Sequence, residues 1–300
     1  MLSTELALNE MAIRGQLIEE LIRTERPDLL NLFFTYQNEA RASRELLENS
    51  LIGLGIDAEI LEVGGGILAL AIQLASEGFK VTTVEPIGGG FAGISYIMEL
   101  YSELAKNENI SFDLLQSPIE VCEFDGKFDF IFAINVMEHL ADPYLVLNQM
   151  IKNLKDTGRY RFVCPNYDFP YEPHFAKWLW RRRGKSFILE PSRANSLRLS
   201  LNEQRSLFNS LNFITLQKVV VFAELNQIQL QVNKHAFSNL LSRALKDSVL
   251  MGRHARLVFF LKLIAVIKLN KLAIFLPALY QPVMDLEASS RGNPSSRSHE

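Results

Sequence analysis

The sequence predicts an α/β fold, a mostly parallel sheet wound in both directions with helices on its two faces. Three observations predict it. Short apolar, β-branched segments recur at 58–63, 80–84, 110–115, 128–134 and 159–164. Helix-forming segments stand between them at 67–76, about 92–106 and 143–154. Glycine or proline punctuates the junctions at 64–66, Gly78, Gly158 and Pro165. Strands that alternate with helices pair in parallel and are covered on both faces, and right-handed crossovers make such a sheet doubly wound.

Taken in order, residues 1–52 read as helical. Leu17, Leu21 and Ile22 have partial helical spacing, and Pro27 marks a fresh start before 29–51. The strand at 58–63 runs into the glycines, and the helix after it ends at Gly78, where a left-handed residue is favoured. Residues 80–84 form a β-branched second strand. Segments 110–115 and 128–134 read as the third and fourth strands, and 159–164, stopped by Pro165, as the fifth. Residues 166–198 are rich in aromatic residues, Pro and Arg and read as a substrate-loop insertion. A helix is expected at 199–211. Segments 214–222 and 227–232 read as an antiparallel edge hairpin that brings the sheet to seven strands. The expected division is a helical cap over 1–52, a central domain over 53–234, a helical region over 235–286 and a disordered tail over 287–300.

Of the 300 residues, 48% are hydrophobic, enough for a full domain with additions. A formal charge of −3 gives no support to nucleic-acid binding. Cys122 and Cys164 are the only cysteines, and their spacing fits neither a zinc pattern nor a disulfide scaffold. A reducing cytoplasm is therefore expected, with no metal. The first residues lack a basic start followed by an apolar run, so no signal peptide is read. Lys262, Lys268 and Lys271 interrupt the most hydrophobic stretch before it reaches the roughly 18 residues of a spanning helix.

Glycines at 64–66 let the chain turn tightly and let a ligand approach the backbone. The helix behind them points amide hydrogens at a bound group. Glu62 lies just inside the strand, where a carboxylate can neutralise an ammonium or organise the turn. Glu85, at the end of the next strand, is placed to accept both hydroxyls of a ribose.

Residues Ile60-Leu61-Glu62-Val63-Gly64-Gly65-Gly66, with Val81-Thr82-Thr83-Val84-Glu85-Pro86, resemble the glycine motif and acidic partner of class I S-adenosylmethionine-dependent methyltransferases. The run from Phe128 through Asn135-Val136-Met137-Glu138-His139-Leu140 resembles their fourth-strand motif, and Leu154 to Tyr160 their Lys-Pro-Gly-Gly segment. The resemblance covers about residues 55–168 and implies a Rossmann-like methyltransferase fold. It implies that Gly64, Gly65 and Gly66 face the methionine part of the cofactor, with Glu62 near its amino group and Glu85 on the ribose. Ser117, Pro118 and Ile119 match the adenine segment, and Asn135 and Val136 match residues that line the cofactor. The chain departs from the family at Leu68, where the third glycine of the loop stands, and at Gln116–Ser117, where an acidic residue usually flanks the adenine.

Two other readings stand beside this one. Gly88-Gly89-Gly90-Phe91-Ala92-Gly93 satisfies the dinucleotide pattern G-x-G-x-x-G, which allows a nicotinamide or flavin oxidoreductase. A non-catalytic cofactor-binding module is the third. Gly184-Lys185-Ser186 is not a phosphate loop, because Leu179 stands where its first glycine belongs.

The loop after Pro165 is the expected acceptor site. It is too proline-rich for a helix or a central strand, and it gathers Asn166, Tyr171, Glu172 and His174. The run resembles the substrate loop of some bacterial envelope-associated methyltransferases. The expected acceptor is a small molecule, sugar or lipid, methylated at oxygen. His174 is the candidate base, oriented by Glu172, because an imidazole titrates near neutrality. Asn166, Tyr171 and His139 are candidate substrate contacts. Residues 177–185, with three arginines and two tryptophans, are a candidate contact with anionic lipid at the inner membrane face or with a phosphorylated substrate, and 249–286 a candidate contact with that membrane face, with the domain itself or with a second copy of the chain.

Overall fold

A strand buried on both faces must be apolar almost throughout, and β1 (Glu59–Val63) meets that condition at its buried positions except Glu62. The computed structural model describes residues 3–86, 93–174, 177–178, 208–239 and 276–289. Those residues divide into two compact units. The first holds the chain through Ile134 together with Gln149–Tyr160, and the second holds Asn135–Asn148 and the chain from Arg161.

In the first unit β1 pairs in parallel with β2 (Lys80–Val84) on one side and β4 (Phe128–Ile134) on the other. β2 pairs in parallel with β3 (Asp113–Leu115). The register sets Glu62 opposite Thr83, and Val63 opposite Val84, so the two strands end level. Helix α1 (Thr4–Glu25) opens at Ser3, whose hydroxyl accepts the amide of Leu6. Its buried residues Ala7, Met11, Gly15, Ile18 and Ile22 follow a helical period. Pro27 starts a short 3-10 turn, and α2 (Leu30–Leu51) follows. Both helices pack on α3 (Ala69–Ser76) and α4 (Ile94–Asn107) through Ile18, Ile22, Phe33, Ile72, Ile97 and Tyr101. Arg44 and Glu77, both fully buried side chains, meet through two hydrogen bonds of 2.8 and 2.7 Å and tie α2 to the end of α3.

Gly93 has a structural reason to be glycine. It caps α4 in the left-handed region at φ +105, and a Cβ there would stand 2.4 Å from Leu29 Cδ2. The rest of the dinucleotide-like run lies outside the described residues.

Among the described residues the sheet has seven strands in the order β3-β2-β1-β4-β5-β9-β8, mostly parallel, as the sequence predicts. Strand β5 (Leu154–Pro165) begins in the first unit and ends in the second, and α5 (Pro143–Lys152) precedes it. The expected strand at 159–164 starts earlier, at Leu154, so the segment Leu154 to Tyr160 lies within β5. A Cβ at Gly158 would come within 2.7 Å of the Phe128 carbonyl oxygen, so only glycine fits there.

The second unit corrects two expectations. Residues 214–222 are not a strand: α6 (Leu216–Leu225) occupies them. Thr215 caps it by accepting the amide of Lys218, and Leu216, Val219 and Ala223 are buried at helical spacing. The partner of β8 (Gln229–Val232) is β9 (Val283–Ser289), antiparallel, with Leu230 opposite Ala288. The sequence reading put 283–286 in the helical region and 287–289 in the tail. Asp285 explains the difference, since it looks too polar for a buried strand. It is 3% exposed, receives Arg161 through Nε at 2.9 Å and Nη2 at 2.7 Å, and accepts from Asn233.

The expectations for 179–198, for helix in 199–207 and 240–275, and for the tail beyond 289 lie outside the described residues. No described helix is long and apolar enough to cross a membrane.

Candidate functional site

The first unit forms a backbone cradle at the carboxyl ends of β1 and β2. Gly64 and Gly66 sit at φ +86 and +52, a region that L side chains rarely adopt. Gly64 and Gly65 both donate to the Val84 carbonyl, at 2.8 and 3.3 Å. Gly65 has no room for a side chain, because a Cβ would stand 2.2 Å from Thr83 Oγ1. Leu68 takes the left-handed conformation itself, at φ +69, where the family resemblance places a glycine. That conformation costs a non-glycine residue roughly 1–2 kcal/mol, and the fully buried leucyl side chain offsets it within the α1–α4 cluster.

Two carboxylates face this cradle. Glu85 Oε2 accepts the amide of Gly66 at 2.9 Å. Burial pushes the Glu85 carboxyl up, and the Gly66 amide opposes the shift. Glu62 is 3% exposed and accepts the Thr83 hydroxyl at 3.0 Å. Burial pushes its carboxyl up to about 8, with the Thr83 bond opposing and Glu85 adding to the shift. The cradle thus carries a buried carboxyl that gains from a cationic neighbour. Ser117 and Pro118 follow β3, and buried Ile119 opens a 3-10 turn. Tyr36 of α2 lies over the turn: a Cβ on Gly66 would be 3.2 Å from its ring. Nothing local in the sequence marks Tyr36, because its place depends on how α2 packs.

The second unit holds a separate group of polar side chains. Asn135, at the end of β4, adopts φ +56 and donates its amide to Val163. The Val136 carbonyl accepts the amide of His139, closing the 3-10 turn Met137–His139. Tyr171 and Glu172 form β6 (Tyr171–Glu172), which pairs antiparallel with β7 (Lys177–Trp178) and sets Glu172 opposite Lys177. The proline-rich loop is therefore anchored by a short ribbon. Glu172 is fully buried; its Oε1 meets His174 Nδ1 at 2.6 Å and accepts the Tyr167 hydroxyl at 3.2 Å. The rings of His139 and His174 lie edge to face with centroids 5.0 Å apart. Burial and the neighbouring His174 lower His139 to about 4, against the pull of Glu172. Burial pushes the Tyr171 phenol up to about 12, with Glu172 adding, so it stays protonated near neutrality.

Glu138, fully buried, joins His139 and His174 in this group, and one ligand atom from each lies within 4.8 Å of the others. Nothing local in the sequence shows that Glu138 and His139 meet His174. Asn166 departs from its expected substrate role. Its Nδ2 donates to the carbonyls of Leu279 and Gln281, and its Oδ1 accepts the amides of Asp168 and Leu216. A side-chain amide has two donors and two acceptor positions, so Asn166 is saturated by the protein.

Comparison with known proteins places the chain. A family model described as a methyltransferase domain matches residues 22–202. Uncharacterized protein Rv1509 of Mycobacterium tuberculosis is 34% identical over 257 residues, spanning 84% of this chain and 86% of that one. A ubiquinone biosynthesis O-methyltransferase of Rickettsia akari is 33% identical over 100 residues, covering 33% of this chain and 37% of its own length. Among solved structures, phosphoethanolamine N-methyltransferase 2 of Haemonchus contortus, in complex with S-adenosylhomocysteine, aligns over 91% of this chain and 59% of its own. Its TM-score is 0.52 at 15% identity, which speaks to the fold alone. With more than half of its length matched by the family model, and with the seven-stranded sheet and glycine cradle in place, the chain belongs to the methyltransferase-domain family as a class I, S-adenosylmethionine-dependent enzyme.

Proposed function

We propose that this enzyme methylates a hydroxyl group of a small-molecule acceptor. The observation that carries the reading is the contact between Glu172 and His174 Nδ1 at 2.6 Å, in the loop that follows the fifth strand. A sulfonium methyl donor is already activated, so the protein's task is to align the acceptor and manage its proton. A buried carboxylate fixes the tautomer and ring plane of His174, which is what activation of a hydroxyl requires. The partial likeness to an O-methyltransferase supports the same acceptor atom.

For the cofactor, Gly64 and Gly66 would receive the methionine part, and Glu62 its ammonium. Glu85 would take the ribose hydroxyls, exchanging its bond to Gly66 for them. Ser117, Pro118 and Ile119 would border the adenine. The left-handed glycines, the absence of room at Gly65 and the buried Glu62 all fit that group.

Activity is tested with methyl-labelled S-adenosylmethionine and panels of phenolic, sugar and lipid hydroxyl acceptors, alongside amine acceptors. His174→Ala is expected to lower turnover by about 10²–10⁴ while S-adenosylhomocysteine binding is retained. Full turnover in that variant, or label transferred to amines alone, overturns the reading.

The cradle has its own test. Gly65→Ala places a methyl group on Thr83 Oγ1 and breaks the Thr83–Glu62 bond. S-adenosylhomocysteine affinity should fall at least about tenfold by calorimetry, the effect of roughly 1.4 kcal/mol. Unchanged affinity would place the cofactor elsewhere.

A further inference from the structure

The cluster of Glu138, His139 and His174 does more than crowd three polar side chains together. Its ligand atoms lie within 4.8 Å of one another, and it combines one carboxylate with two imidazoles. We infer that these three side chains bind a divalent transition cation of the zinc class, and that the acceptor hydroxyl reaches the cation through an open coordination position. The inference rests on the O-methylation reading and gives activation of the oxygen to the cation, with His174 as its ligand in place of the proton acceptor.

Several features point the same way. A cation with bonds of about 2.0–2.2 Å separates tetrahedral ligands by about 3.4 Å, so each side chain need close inward by under about 1 Å. Two nitrogens and one oxygen suit zinc, cobalt or iron, whereas magnesium prefers an all-oxygen shell. Glu172 supplies the outer partner such sites use: it holds His174 at Nδ1, and the assignment gives coordination to the other ring nitrogen, Nε2. Tyr167 holds Glu172 in turn, and the β6–β7 ribbon fixes the backbone. Glu138 and His139 are held by the 3-10 turn and by Asn212, whose amide donates to the Glu138 carbonyl and whose side chain donates to Met137 and Leu140. Three protein ligands leave the fourth position for a hydroxyl or water. A hydroxyl held there would release its proton to water more readily, and its oxygen would then bond to the methyl carbon as the carbon–sulfur bond of the sulfonium breaks and S-adenosylhomocysteine leaves.

Titration of the chelator-stripped, full-length protein with Zn2+, and with Co2+ as a spectroscopic probe, tests the site. The expected result is one tight site per chain, a visible Co2+ band of a low-coordinate nitrogen–oxygen site, and at least tenfold weaker Mg2+ binding. His139→Ala and His174→Ala should each lose that site while S-adenosylhomocysteine binding and thermal melting stay close to the parent's. Glu172→Gln should weaken Zn2+ by about 10- to 100-fold without removing the site. No stoichiometric binding by the parent, or binding unchanged in the double histidine variant, overturns the inference. Methyl transfer is read separately in stripped and reloaded protein. Activity at full level after stripping leaves O-methylation standing and removes the cation's part in it. A histidine-dependent site without transfer to any hydroxyl keeps the cation site and overturns the O-methylation reading.

Discussion

Asn166→Ala should lower the melting temperature of the protein by about 10 °C, with S-adenosylhomocysteine affinity little changed. The side chain joins three segments that are far apart in sequence: its own loop, the start of α6 and the turn before β9. Removing it strands two backbone carbonyls and two backbone amides. The bonds to Gln281 and Leu216 are fully buried, so those two losses dominate. A buried backbone group left unsatisfied costs about 1–3 kcal/mol, which gives on the order of 3 kcal/mol for the pair. For a chain of this size that corresponds to roughly 2–4 °C per kcal/mol. Asn166→Asp sharpens the test. Aspartate can still accept the amides of Asp168 and Leu216, but it presents a second oxygen to the two carbonyls. It should be at least as damaging as alanine at neutral pH. A residue that touched only the acceptor would behave differently, raising KM at constant melting temperature, and that outcome would overturn the clasp.

What the sequence made legible follows from the range of the interactions involved. Strands β1, β2 and β4 were readable because each is short, apolar or β-branched at its buried positions, and bounded by turn residues. The glycine cradle was readable because backbone conformation there depends on residues within the turn. Long-range pairings hid the rest. Val219, Val220 and Val221 suggest a strand, yet Thr215 caps a helix across them and tertiary packing buries one face. Asp285 disguises β9 until Arg161 is known to lie beside it. Among the site residues, His174 and Glu172 were found through their nearness in the loop, whereas the meeting of Glu138 and His139 with His174 depends on folding. The expected absence of a metal came from cysteine spacing and considered no histidine–carboxylate group drawn from two segments.

Glu62→Gln should separate stability from cofactor binding, moving the two in opposite directions. Glu62 is enclosed, and its carboxyl is raised to about 8 chiefly by burial. A carboxyl whose folded pKa exceeds its unfolded value of 4.5 contributes stability that is fully present below 4.5 and is lost as pH rises through about 8. Glutamine keeps the shape and a hydrogen-bonding oxygen for Thr83 but carries no charge. Without cofactor, the variant should therefore melt at a higher temperature than the parent at pH 8.5 and at a similar one at pH 4.5. Binding should show the reverse. If Glu62 meets the ammonium of S-adenosylmethionine, the parent must release its proton on binding. Its affinity then improves by about 10- to 30-fold from pH 6 to pH 7.5, approaching tenfold per unit below the carboxyl's own pKa. Glu62→Gln should bind about 10- to 100-fold more weakly at pH 7.5, the loss of a charge-assisted hydrogen bond of roughly 1.5–3 kcal/mol, and with a flat pH profile. Calorimetry in two buffers of different ionisation enthalpy counts the proton directly. A parent that binds without proton release, or a glutamine variant as tight as the parent, would remove Glu62 from the cofactor and leave it as a buried partner of Thr83.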